Sequence, residues 1–253
     1  MGRKTAAIIA EASKNSKSSR AKKSWSPTAK RFVCFLDIMG FKDLVMRNSH
    51  KEIYDLLTKL SKHRDTLENA KSLPEQYDSD SLKTVSFSDS IVVFTKDDRP
   101  ECFELMTFAV SWLFSQSLRD GIPMKGAIAF GEMSVNISSQ IFFGQPLIDA
   151  YLLEEEVNYY GITIHDTVER YFSEYNVSSE IQEHYIDCLT PLKSGKINHL
   201  NLNWIRSLNL ENEERIDEKQ EALDLMTKQR RKTSGYPRKY IDNTAEVIKL
   251  MYK

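Results

Sequence analysis

Cysteine is scarce in this chain, with only Cys34, Cys102 and Cys188 among 253 residues. An odd number at no metal-ligand spacing argues against a disulfide framework and against a zinc site. Cys34 sits inside an apolar run and reads as a small core residue. No apolar run approaches the roughly 20 residues that a membrane-spanning helix needs, and the N-terminus has no hydrophobic secretion core. Together these absences predict a reduced, cytoplasmic protein with no membrane partner. Also missing are a nucleophile elbow, a phosphate-binding Gly-Lys-Ser loop and a zinc-ligand cluster. The five histidines are scattered. His50 and His63 fall on or near a polar helix face and His165 ends a strand, positions that read as structural.

What is present is enough to build a sizeable core: 41% of the residues are hydrophobic and 28% charged, an ordinary globular balance. The net charge of -1 hides an asymmetry. Residues 1–31 carry nine Lys or Arg against one acid, Glu11, which leaves 26 bases and 35 acids in the rest. The Ser/Lys/Ala-rich stretch 1–30 has no interleaved aromatics beyond Trp25 and reads as a disordered basic arm, with no nucleic-acid partner expected.

Two aspartates stand out. In Arg31–Phe41 (RFVCFLDIMGF) and Thr84–Phe94 (TVSFSDSIVVF), a single carboxylate interrupts a run that otherwise reads as a buried strand. Burying an unpaired carboxylate costs several kcal/mol, on the order of a protein's whole margin, so a cation is expected nearby. Asp37 and Asp89 on neighbouring strands would form a hard-oxygen site for Mg²⁺ or Mn²⁺, and such ions usually carry a substrate's phosphates.

The order of elements predicts the fold. A strand over Phe32–Asp37 turns at Gly40 into a helical region marked by Ile53, Leu56, Leu57, Leu60 and Leu67. A loop through Leu73-Pro74 and residues 77–81 leads to a hairpin, Leu82–Phe87 and Ile91–Thr95, with Asp89 at its turn. A long helix from Pro100 carries Phe103, Met106, Val110, Leu113, Phe114 and Leu118 on one face. Strands follow over Met124–Glu132 and Gln140–Phe143, then a helix over Pro146–Glu155, a strand over Tyr159–His165 and a helix over Asp166–Phe172. Tyr185–Leu189 reads as the last strand. Strand-helix-strand-strand-helix-strand is an α+β pattern, an α/β sandwich of the ferredoxin-like kind. Residues 211–233 read as a solvated, charge-rich helix, and Gly235-Tyr236-Pro237 breaks it before an amphipathic end. The expected organisation is an arm at 1–30, a catalytic domain at 31–195 and a helical C-terminal extension at 196–253.

Four blocks carry a family resemblance. Phe35–Phe41 (FLDIMGF) resembles the first metal motif of the class III nucleotidyl cyclases, an apolar strand running into Asp-Ile-x-Gly-Phe. Phe87-Ser88-Asp89 stands where that family has Gly-Asp. Lys125–Gly131 (KGAIAFG) resembles its Arg-x-Gly-Ile-x-x-Gly strand, and Phe143–Glu154 (FGQPLIDAYLLE) its Gly-x-x-Val-Asn-x-Ala-x-Arg-Met-Glu segment. The blocks keep their order over residues 30–170, and in detail they look most like the pyrimidine cyclases of bacterial anti-phage (Pycsar) systems.

The resemblance implies the fold of the class III catalytic domain and a homodimer with active sites at the interface, binding two Mn²⁺ or Mg²⁺ ions per site. It implies conversion of UTP to cyclic UMP and pyrophosphate by two-metal phosphoryl transfer, the product acting on a separate effector protein. Asp37 and Asp89 match the metal carboxylates, Ile38 the residue whose carbonyl touches one ion, and Met39, Gly40 and Phe41 the amides along the triphosphate. Val85 matches the base-choosing position, and Lys125 is a candidate phosphate contact; Lys83 shares the strand but not the register. Asn136 and Gln145 lie near the segment with no assigned role. The family's transition-state Asn and Arg fall on Ile148 and Leu152, which can do neither job. Cyclic CMP from CTP, a non-catalytic nucleotide-binding module and another palm-type nucleotidyl enzyme therefore stay open as alternatives.

Overall fold

The computed structural model describes residues 24–68, 80–175, 177–208 and 217–252. Strand β1 (Thr28–Ile38) is central to it. Phe32, Cys34, Leu36 and Ile38 are at most 1% exposed and point to one face, while Val33, Phe35 and Asp37 point to the other. Helices α1 (Phe41–Arg47) and α2 (His50–Glu68) lead to the hairpin β2 (Leu82–Phe87) and β3 (Ser90–Thr95). Helix α3 (Pro100–Arg119) then returns the chain to β4 (Met124–Asn136). These strands lie side by side in the order β2-β3-β1-β4, every pair antiparallel, which is the ferredoxin-like arrangement expected.

The sheet grows from β4. Strand β5 (Ile141–Gly144) pairs with its far end, helix α4 (Gln145–Glu156) follows, and β6 (Ile162–Ile164) runs parallel to its near end. Beyond α5 (Asp166–Glu174) and the short α6 (Ser179–Gln182), β7 (Tyr185–Leu192) and β8 (Gly195–Leu202) complete the order β2-β3-β1-β4-β6-β8-β7. Helices α7 (Glu218–Lys232) and α8 (Arg238–Met251) close the described chain. The main core lies between one sheet face and α3, where Phe103, Met106, Val110, Leu113 and Phe114 are buried on the Phe32 side of β1. The opposite face is covered in part by α4, whose Tyr151 ring meets Phe35 edge-on with centroids 5.4 Å apart. The architecture is α+β, with a C-terminal helical part.

Several expectations are corrected. Strand β1 begins at Thr28, so residues 28–30, assigned to the arm, belong to the sheet; residues 1–23 lie outside the described residues. Arg31 is fully buried, its guanidinium donating to the carbonyls of Ser26, Thr95, Lys96 and Met133 and lying 5.0 Å from the Trp25 ring. Tyr185–Leu189 is not the last strand. β8 follows it past residue 195, pairing along the whole of β7 and touching β6 at Thr163 and Asn201. It escaped notice because Gly195–Asn198 is exposed and only its last two residues, Asn201 and Leu202, are buried, so no alternation shows. The charge-rich helix is also more than a solvated one, since α7 buries Ala222, Leu225 and Met226; residues 211–216 of it, and most of the loop around Leu73-Pro74, lie outside the described residues.

Two histidines have the structural roles expected of them. His63 on α2 sits 2.8 Å from Asp120 at the end of α3, and His165 accepts from the Thr167 amide as the cap of α5. The three cysteines are buried and unbridged, and among the described residues no helix is long and apolar enough to cross a membrane.

Close packing of β1 on β4 demands Gly126. A Cβ there would fall 2.5 Å from Leu36 Cδ2 and 2.6 Å from the Phe35 carbonyl oxygen, a backbone atom that cannot move aside. Gly126→Ala is expected to cost about 1–3 kcal/mol. A thermal melt of the variant should show a midpoint lower by several degrees.

Candidate active site

The register of three strands brings the two aspartates together. Asp37, at the end of β1, pairs with Ser90 on β3 and with Lys125 on β4. Asp89 is the residue before Ser90, in the two-residue turn between β2 and β3. Its carbonyl accepts the Ile38 amide at 3.0 Å, which ties the hairpin tip to the end of β1. Ser88, the other turn residue, has φ +56°, a left-handed conformation that side chains adopt reluctantly. Two-residue hairpin loops need such a residue, which is why glycine is usual there. Ser88 holds the strained position without one.

The turn after β1 is equally defined. Gly40 has φ +71° and ψ +22° and starts α1; the Leu44 amide donates to its carbonyl at 3.0 Å. Residues at the head of a helix have amides with no intrahelical acceptor, as the triphosphate reading of Gly40 and Phe41 requires. The Met39 amide differs, because it donates to the Pro123 carbonyl at 2.8 Å.

Charge is crowded around Asp37. Burial, then the nearby Glu154 and Asp89 carboxylates, push its carboxyl up to about 7 from an ordinary value near 4, against the pull of Lys125 and of a long 3.4 Å hydrogen bond from Ser90 Oγ. A carboxylate raised first by burial and then by two neighbouring carboxylates marks a place short of positive charge. Among the described residues no set of three His, Cys, Asp or Glu side chains is arranged to hold a metal. The donors present are two carboxylates, a set suited to Mg²⁺ or Mn²⁺ when water and phosphate oxygens complete the shell. The residues fit such ions.

Glu154 was missed as a participant. It closes the fourth resembling block and was given no role, yet it is only 3% exposed and its burial, above all, raises its pKa. Lys125, expected to reach a phosphate, turns the other way. Its Nζ donates to the Glu154 carbonyl at 2.8 Å and the Glu155 carbonyl at 3.3 Å, and lies 2.9 Å from Glu154 Oε1. Val85, by its pairing with Val92 and so with Phe35, lies half-buried on the same sheet face as Asp37. Lys83 pairs with Asp80 at 3.1 Å. Asn136 accepts from Ser138 and Ser139, and Gln145 donates to Asp149, so both serve local turns. Ile148 and Leu152, one helical turn apart on α4, are 52% and 53% exposed.

Known structures share this fold. The catalytic core of a rhodopsin-guanylyl cyclase with converted specificity, in complex with ATPαS, is similar at a TM-score of 0.50 and 13% identity, over 70% of this chain and 98% of its own. A bacterial light-regulated adenylyl cyclase has a TM-score of 0.47 at 12% identity, over 73% of this chain and 97% of its own. An adenylate/guanylate cyclase/hydrolase from Silicibacter pomeroyi has a TM-score of 0.45 at 15% identity, over 70% and 98%. No protein-family model matches the chain, and no curated protein does. The class defined by the first similarity is one of fold, the cyclase catalytic domain.

The crowding at Asp37 has a measurable sign. An acid with a raised native pKa stabilises the fold least at high pH, because the unfolded chain ionises near pH 4 and the native one only near 7. In EDTA, Asp37→Asn should therefore melt at the same temperature as the parent near pH 4. Its advantage should grow up to pH 7 and level off above, as read by scanning fluorimetry.

Proposed function

We propose that this protein is a nucleotidyl cyclase that converts UTP to 3′,5′-cyclic UMP and pyrophosphate. The observation that carries the reading is the convergence of Asp37 and Asp89 at one end of the sheet, in the fold of a cyclase catalytic domain. Supporting it, the Asp37 carboxyl is raised by burial and then by the Glu154 and Asp89 carboxylates, as at a cation site without its cation. In this reading Asp37, Asp89 and the Ile38 carbonyl hold two divalent ions, and Gly40 and Phe41 lie along the triphosphate. Bound Mn²⁺ or Mg²⁺ would supply neutralisation of the triphosphate and a lowered pKa at the ribose hydroxyl. The 3′-hydroxyl gives up its proton to solvent, and its oxygen forms a bond to the α-phosphorus as the bond from that phosphorus to the bridging β-phosphate oxygen breaks, releasing pyrophosphate. No protein nucleophile is needed, because positioning and charge stabilisation carry phosphoryl transfer.

Val85 and the neighbouring apolar face offer a base few polar contacts, and the choice of a pyrimidine over a purine rests on the motif resemblance. CTP remains the nearest alternative, since one donor-for-acceptor exchange at the ring edge separates it from UTP. The exposed apolar residues Ile148, Tyr151 and Leu152 of α4 support a homodimer assembled over this face, as clustered apolar exposure marks an interaction surface. The cyclic product would act on a separate effector in anti-phage defence, a role that rests on the motif resemblance. A second reading, a nucleotide-binding module without turnover, is favoured by one observation: the exposed positions Ile148 and Leu152 carry no polar group.

Incubation with ATP, GTP, CTP or UTP plus Mn²⁺, with products resolved by mass, separates these. Cyclic UMP is expected from UTP alone. Asp37→Ala or Asp89→Ala should reduce it by at least about 100-fold while leaving the far-UV spectrum intact. Cyclic CMP would exchange the substrate, and no product despite Mn²⁺ binding would move the protein to the non-catalytic reading.

A further inference from the structure

Lys125 is a cation beside the candidate metal carboxylate, yet its ammonium is bonded to α4. It stands opposite Asp37 in the β1–β4 register. A lysine in that position has an obvious partner in Asp37, and an ammonium seated there would occupy the carboxylate that a divalent ion needs. Instead its ammonium donates to two carbonyls of the last turn of α4 and forms an ion pair with the Glu154 carboxylate at 2.9 Å. Carbonyls in the last turn of a helix carry partial negative charge, and one that already accepts a capping amide, as Glu154 does from Val157 at 3.0 Å, keeps a second lone pair, so they attract a lysine. They do so more weakly than a full carboxylate. Glu154 supplies that carboxylate, and the side chains of the pair are only 9% and 4% exposed, where charge is poorly screened.

From this geometry we infer that Glu154 is a positioning residue whose carboxylate sequesters Lys125 and keeps Asp37 open to the divalent ion. The inference rests on the cyclase reading of Asp37 and Asp89. The pair together is neutral, so it leaves the charge deficit around Asp37 and Asp89 for the metal. Removing Glu154 alone has two effects of one sign. It leaves an unbalanced positive charge beside the site, and it releases Lys125 to turn toward Asp37. Removing both residues returns the neighbourhood to neutrality and takes the competing ammonium away.

The test is a double-mutant cycle on Mn²⁺ binding, followed by electron paramagnetic resonance on the full-length protein without nucleotide, with melting temperatures recorded alongside. Glu154→Gln keeps the size of the side chain and should weaken Mn²⁺ binding by on the order of tenfold or more. Lys125→Met/Glu154→Leu should restore it to within about threefold of the parent, whatever its melting temperature. Restoration in the double variant is the outcome a merely structural role cannot produce. Unchanged Mn²⁺ affinity in Glu154→Gln overturns the inference. So does a double variant as weak as the single one, which would mark Glu154 as a metal contact or as a prop of the fold. Asp37→Asn and Asp89→Asn serve as the control on the underlying reading. If Mn²⁺ binding ignores both, the metal site itself is misassigned and the inference falls with it; if it needs both, only the role of Glu154 is at stake.

Discussion

The burial of β1 on both faces is the constraint on which the site depends. Phe32, Cys34, Leu36 and Ile38 are packed into the main core, and Phe32 contacts Phe103, Phe130 and Tyr171 at ring separations of 4.4 to 4.7 Å. A slip of one residue would send this set to the other face and bring Asp37 into the core. The register is therefore held by hydrophobic burial over the length of the strand. Asp37 is delivered to a defined place opposite Ser90 and Lys125 as a consequence. The hairpin adds Asp89 through a single backbone contact, the Ile38 amide on the Asp89 carbonyl.

Electrostatics then gives that place its character. The Glu154 and Asp89 carboxylates both act on Asp37 at the end of the sheet, and Lys125 acts on it in the opposite sense. Lys125 and Glu154 neutralise each other at 2.9 Å, so the two aspartates carry the uncompensated charge. Buried ion pairs contribute little net stability because desolvation offsets attraction, and this one is better understood through what it does to its neighbours. Strain collects at the same end of the molecule: Ser88 takes a left-handed conformation next to Asp89.

Helix α4 divides its two sides between different surroundings. Its inner side is committed, with Ala150 and Glu154 buried and Tyr151 leaning on Phe35. Its outer side is apolar and exposed at Ile148 and Leu152, where the resembling family has polar groups. Aliphatic side chains in water at these positions are consistent with a surface completed by another copy of the chain, and inconsistent with an Asn-and-Arg style of transition-state stabilisation.

Much of this was legible in the amino-acid sequence because it is written in local periodicity. The alternation in Phe32–Ile38, the hairpin at Ser88-Asp89 and the helical spacing from Phe103 to Leu118 each follow from the side-chain period of their own element. They sufficed for the ferredoxin-like order and for both aspartates. Strand β8 was not legible: its exposed first half shows no alternation, and its buried Asn201 takes side-chain partners from other elements, Tyr159, Thr163 and Thr190, beside the His199 carbonyl of its own strand. Nor was the direction of Lys125. A lysine on a strand has no sequence-local reason to turn one way or the other. That choice was made by tertiary packing, which sets the C-terminal carbonyls and the Glu154 carboxylate of α4 over β4, some 30 residues further along the chain.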